Sequence, residues 1–243
     1  MTNPDIPFTL TAYLQQGAVL NQRYGLTLDG LLTHIIRGNH ALGHPGSLLD
    51  GGLGVDHPQE WELPLAQCHY ADPDWHWLTT SAQPIDHDGN PIQPGPPDTH
   101  RLLIKLDEKR AGRIAVKIPK EAGGVRGRYR QRITPILVTP AAALTWQAVG
   151  DPTTVYSLLH HTHSIGGRRG IGEGTVLRWD ITEHPDEDPF LFAHTHPNGT
   201  LARPCPLPCA EHANATNWTE GTAGLRPPLF HASMQRTLAI PNP

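Results

Sequence analysis

An alternating apolar strand, an amphipathic helix and a helix–glycine loop–strand unit place this sequence in the α+β class. Their order is β-α-β-β-α-β, the ferredoxin-like or RRM-like arrangement. The expected body covers residues 1–182, with insertions at 38–58 and 83–98 and a basic β-hairpin or arm at 101–132. A proline-rich C-terminal extension over 183–243 is expected to pack on that body.

The first strand is read from Phe8 to Leu14: Phe8, Leu10, Ala12 and Leu14 share one face, and Thr9, Thr11 and Tyr13 the other. Leu28, Leu31, Leu32, Ile35 and Ile36 then recur at helical spacing, with Thr27 as the candidate cap. Gly38 to Pro58 is rich in Gly, His and Pro and holds no regular pattern. Trp61 to Tyr70 and Trp75 to Ala82 are short strands turned by Asp72-Pro73-Asp74; Trp75, His76 and Trp77 suit either base stacking or core packing. Gln83 to Asp98 reads as a poorly ordered linker.

Arg101 to Leu106 and Arg113 to Ile118 are expected to pair as a hairpin, apolar on one side and basic on the other through Arg101, Lys105, Arg113 and Lys117. Arg126, Arg128, Tyr129, Arg130 and Arg132 follow a Gly-Gly flex point, a pattern suited to a segment that orders on RNA or to a solvated surface arm. Ile133 to Val138 and Ala143 to Val149 are apolar enough for burial, and Asp151-Pro152 caps a helix carrying Val155, Leu158 and Leu159. Thr175 to Ile181 alternates, with Leu177, Trp179 and Ile181 opposed to Val176, Arg178 and Asp180. Beyond Ile181 the pattern weakens, although Arg226-Pro227-Pro228-Leu229-Phe230 is suited to docking back on the body.

With 37% hydrophobic residues, 24 Gly and 25 Pro in 243 residues, one core with long loops is expected rather than two full domains. No apolar run approaches the ~20 residues of a membrane span, so no membrane partner is expected. The start Met-Thr-Asn-Pro-Asp lacks a signal-peptide pattern, and three cysteines imply no disulfide framework. A cytoplasmic, reducing location follows as the expectation. The net charge of −4 hides an asymmetry: residues 101–132 carry eleven Lys or Arg against three acids, leaving +8 there and −12 elsewhere. A local patch of that kind is what phosphates respond to.

The remaining motif is Ile165-Gly166-Gly167-Arg168-Arg169-Gly170-Ile171-Gly172-Glu173-Gly174. Glycines permit close approach, free amides form an anion nest, and Arg168 and Arg169 add charge. Rossmann and P-loop motifs run strand, loop, helix, whereas this loop follows a helix, and no Gly-Lys-Ser/Thr ending is present; a nucleotide cofactor is not expected. This loop in its helix–strand setting resembles the C-terminal glycine-rich loop of the RAMP superfamily, the RRM-like proteins of CRISPR effector complexes. Tyr24-Gly25-Leu26-Thr27-Leu28-Asp29-Gly30-Leu31-Leu32-Thr33-His34 and Gly224-Leu225-Arg226-Pro227-Pro228-Leu229-Phe230-His231 are similar to one branch, the subunit that caps the guide RNA's 5′ handle in type IV complexes.

The resemblance implies a non-catalytic CRISPR RNA (crRNA)-binding subunit with no cofactor. Its partners would be crRNA, the backbone RAMP subunit and the large subunit, with target DNA met indirectly. The RNA-binding residues would be Gly166, Gly167, Arg168, Arg169, Gly170, Gly172, Gly174, Arg113, Lys117, Arg126, Arg128, Tyr129, Arg130, Arg132 and Arg178. One alternative is a RAMP endoribonuclease using a histidine general base, with His34, His160, His161 and His163 as candidates. Another is a zinc-stabilised module drawing on His161, His163, His194, His196, Cys205, Cys209 and His212, although their spacing matches no established finger. The primary reading assigns no metal and no catalytic residue.

Overall fold

The computed structural model describes residues 5–20, 25–43, 61–92, 98–104 and 132–242. The chain is α+β, built on an antiparallel sheet of β4 (Gln83–Ile85), β7 (Ala143–Gly150), β1 (Ile6–Leu14) and β8 (Val176–Glu183), in that spatial order. α1 (Leu28–Gly43) follows β1, and α2 (Pro152–Leu159) joins β7 to β8. Phe8, Leu10 and Ala12 of β1 are fully buried with Leu28 and Leu32 of α1 and Val155 and Leu159 of α2, so both helices cover one face of the sheet. Trp146 and Trp179 join this core with both indoles satisfied: Trp146 Nε1 donates to Leu26 O at 2.7 Å and Trp179 Nε1 to Thr162 O at 3.0 Å.

The helix starts follow their caps. Gly30 N–H donates to Thr27 Oγ1 at 3.3 Å, and the Asp151 carboxylate accepts from the Thr153 and Thr154 amides at 3.0 and 3.2 Å. The alternation of β8 is broken where its register against β1 shifts beside Tyr13 and Leu14. Leu177 is therefore 65% exposed while Val176 is buried, reversing the expected faces at that end. One extra residue in a strand turns the side chains beyond it to the opposite side.

Residues 83–92, expected to be linker, are ordered. β4 is the sheet edge, where Pro84 is tolerated, and Asp86 turns the chain by accepting from the Asp88 and Asn90 amides at 2.9 and 2.8 Å. β2 (Gln67–Cys68) pairs with β3 (His76–Trp77) around the expected Asp72-Pro73 turn, whose peptide is cis. Trp77 packs in the core, and Trp75 meets it edge-to-face at 5.3 Å, the packing alternative for these aromatics.

β5 (Asp98–Ile104) pairs with β6 (Arg132–Val138). The expected partner strand 113–118 and most of the basic arm lie outside the described residues.

The C-terminal region is more organised than its weak pattern suggested. α3 (Pro189–His194), α4 (Leu207–His212) and the hairpin of β9 (Trp218–Gly224) and β10 (Gln235–Pro241) follow in order. α3 lies against β1 and β7, where Thr9, Thr145 and Gln147 of the sheet's polar face share a cleft of about 790 Å³ with Leu191 and Thr195. Arg203 is buried and reaches the buried carboxylate of Asp29 in α1, with both Nη atoms at 3.2 Å from Oδ2. The Arg226 guanidinium stacks over Trp75 at 4.1 Å, as the docking expectation for this stretch required, but Phe230 is 82% exposed. No helix among the described residues is long and apolar enough to cross a membrane.

Candidate nucleic-acid interface

The glycine loop is closed at its base and open at its tip. Ile165 N–H donates to Gly174 O at 2.9 Å, while Gly167 and Gly174 amides donate to Val19 O and Gly17 O at 2.8 and 3.2 Å. Gly174 sits at φ +67°, where a Cβ would overlap the Ile165 carbonyl, so no larger residue closes the loop this way. The tip is a single 3₁₀ turn, Arg169–Ile171, entered through Arg168 at φ 58°, ψ 25°. A left-handed arginine is an uncommon and costly backbone state.

The free-amide nest is smaller than expected. Gly167, Gly172 and Gly174 amides bond to Val19, Arg169 and Gly17 carbonyls, so these three are committed inside the fold. The charges are not: Arg168 and Arg169 are both exposed, as is Gly170 between them and the end of the turn.

Beneath the tip runs a groove of about 390 Å³ lined by Val19, Leu26, Leu31, His34, Gly166 and Arg169. That volume lies within the ~300–1,000 Å³ of small-ligand clefts. α1 buries Leu28 and Leu32, which turns His34 outward to the groove, where its Nε2 stands 3.4 Å from Arg169 Nη2. Partial burial, then the charges of Arg169 and Arg37, lowers the His34 pKa below 6.5. The ring is therefore mainly neutral at pH 7, and able to accept a proton or a hydrogen bond.

Of the four histidines considered as general bases, His34 is the one hydrogen-bonded to the loop arginines among the described residues. His160 bonds Ser157 O at 2.8 Å and lies against His161 at 3.7 Å; His163 is exposed. Arg178 lies on the polar face of β8, 4.0 Å over the Tyr13 ring and 3.3 Å from Asp180. Arg113, Lys117, Arg126, Arg128, Tyr129 and Arg130 fall outside the described residues; Arg132 opens β6 opposite Ile104, and its side chain is outside them too.

The sequence-based zinc set is not assembled. Cys205 is fully buried, its thiol pushed up to about 12 chiefly by burial, and His212 stacks on Tyr70 at 4.5 Å. Instead, His194 and Cys209 meet Cys68 and His76, neither of which was expected to be a metal ligand, with all four ligand atoms within 4.8 Å of one another. A signal for half of this was present. Cys68 and His76 each lie four residues from Asp72, and pair directly across the turn.

No protein-family model and no curated protein sequence matches this chain.

Proposed function

We propose that the chain is a non-catalytic RNA-binding subunit of a CRISPR effector ribonucleoprotein, type IV-like, that caps the 5′ handle of the guide RNA. The observation carrying this reading is the clamped glycine loop that holds Arg168 and Arg169 out of the fold above the His34 groove. An exposed cation pair on a rigid base is suited to phosphates, and the groove beneath it to one nucleotide unit. The strand order β4-β7-β1-β8 with its two crossover helices supports a ferredoxin-like body of the RAMP kind. With α3 lying across part of the sheet's polar face, the loop side is the more open route for a strand of RNA. In this reading the basic arm at 101–132 tracks the next nucleotides and meets the backbone subunit, the large subunit is a further partner, and target DNA is met indirectly.

Binding of labelled repeat RNA as a function of salt tests this. Each lost phosphate contact removes ~0.7 from the single-strand log–log slope, so Arg168→Ala/Arg169→Ala should flatten it by about one unit or more. An unchanged slope places the RNA elsewhere on the protein.

The contact between His34 and Arg169 favours a second reading, a RAMP endoribonuclease that processes precursor crRNA. A neutral His34 would take the 2′-hydroxyl proton while Arg169 stabilises the charge on the pentacovalent phosphate. Purified protein incubated with repeat RNA distinguishes the two: cleavage abolished by His34→Ala supports the enzyme, and intact RNA with undiminished binding supports the cap.

A further inference from the structure

Between the β2–β3 hairpin and the C-terminal helices, four side chains converge from segments far apart in the chain. Cys68 and His76 come from β2 and β3, His194 from the end of α3, and Cys209 from α4. All four are buried, between 0% and 4% exposed. Cys68 Sγ lies 3.9 Å from Cys209 Sγ, and His76 Nε2 lies 3.0 Å from His194 Nε2.

These separations match the edges of a metal tetrahedron. With Zn–S of about 2.3 Å and Zn–N of about 2.0–2.1 Å, tetrahedral geometry places two sulfurs about 3.8 Å apart and two nitrogens about 3.3–3.4 Å apart. The sulfur pair already stands at that spacing, and the imidazoles need to part by a few tenths of an ångström.

Proton bookkeeping points the same way. His194 Nδ1 lies 2.7 Å from Phe190 O and must donate to it, which leaves Nε2 as a lone pair. For the two Nε2 atoms to hydrogen-bond, His76 must then carry its proton on Nε2. Its Nδ1 would be a buried acceptor, and that atom has no hydrogen-bond partner of good geometry. A cation between the rings removes the conflict: both Nε2 lone pairs bind it, and the His76 proton moves to Nδ1. The His194–Phe190 bond is the carbonyl contact that usually orients a metal-bound imidazole.

We infer that Cys68, His76, His194 and Cys209 form a structural zinc site that fastens the C-terminal region to the β2–β3 hairpin. Two soft sulfurs and two imidazoles in a closed tetrahedral set are a zinc donor set with no open position for catalysis. On binding, the two thiols release their protons to solvent, so Zn²⁺ and two thiolates sum to zero charge, as suits a buried site. The cross-links span 118 residues between the histidines and 141 between the cysteines. They fall where the buried apolar cluster is mostly Cys and Ala with Leu201, a thin core that gains from a metal clip. The inference is independent of the RNA reading.

The test uses the full chain purified in a non-chelating reductant and loaded with Zn²⁺ alone. Mass spectrometry should find about one zinc per chain, retained by Cys205→Ala and His212→Ala and lost by Cys68→Ser/Cys209→Ser. To separate loss of metal from loss of fold, Co²⁺ is also bound to the unaltered protein, where the visible bands of a tetrahedral ion and a thiolate-to-cobalt charge-transfer band are expected. Failure of the reduced, unaltered chain to bind zinc, a cobalt spectrum without thiolate charge transfer, or full zinc retention by the double serine variant would each overturn the site.

Discussion

Replacing Asp29 by Asn should destabilise this protein more than almost any other isosteric change. Arg203 is 1% exposed and Asp29 0%, so a lost carboxylate is not simply replaced by bulk solvent. The remaining acceptors are main-chain carbonyls: Leu225 at 2.9 Å, and Trp77, Thr79 and Pro204 at 3.4 Å. Arg cannot shed its proton, so the variant holds an uncompensated buried charge, at a cost of about 3–5 kcal/mol. For a chain of this length each kcal/mol moves Tm by about 2–4 °C, giving a fall of roughly 6–20 °C. Removing both charges in Asp29→Leu/Arg203→Met should recover most of that loss, because an apolar pair of similar volume is often as stable as a buried ion pair. Urea titrations followed by tryptophan fluorescence supply the double-mutant cycle. An Asp29→Asn variant within 1 kcal/mol of the parent, or a double variant worse than either single change, would refute the reasoning.

Arg168→Gly should leave the fold as stable or up to about 1 kcal/mol more stable, since relief of the left-handed backbone is partly offset by a freer unfolded chain, while RNA affinity falls; a lower denaturation midpoint would contradict this. Gly174→Ala should cost at least 1–3 kcal/mol by order of magnitude, because its Cβ meets the Ile165 carbonyl, whereas Gly170→Ala, with open space around it, should stay within about 0.5 kcal/mol. Equal midpoints for the two alanine variants would argue against the clamped loop base. His34 and His196 both titrate below 6.5 in the folded chain, mainly because burial disfavours the imidazolium. The unfolded state then binds more protons below that value, so stability present at pH 7 declines as pH falls through 6.5 toward 5; denaturant midpoints unchanged between pH 7 and 5 would refute it.

Local chemistry made several parts of the fold legible. The Phe8–Leu14 alternation, the Leu28–Leu32 stripe and the Thr27 and Asp151 caps each depend on neighbours within one turn or one pleat, and each folds as read. The order of helix, glycine loop and strand is likewise in place, together with the exposure of its two arginines. Where a single residue alters the register, as at Leu177, the alternation pointed the wrong way, because a bulge is specified by the partner strand and not by the strand that carries it. β4 was hidden for a related reason. Three residues containing a proline become a strand only when β7 offers an edge to pair with.

By itself the sequence determined the α+β class, the core faces of its long elements and a cationic glycine loop, since these follow from periodicity and short-range hydrogen bonding. Only the tertiary structure decided which distant polar groups share one environment. Asp29 meets Arg203 across 174 residues, His34 meets Arg169 across 135, and Cys68 meets Cys209 across 141. Such meetings depend on how helices and hairpins stack around the sheet, and chain spacing carries no record of that packing.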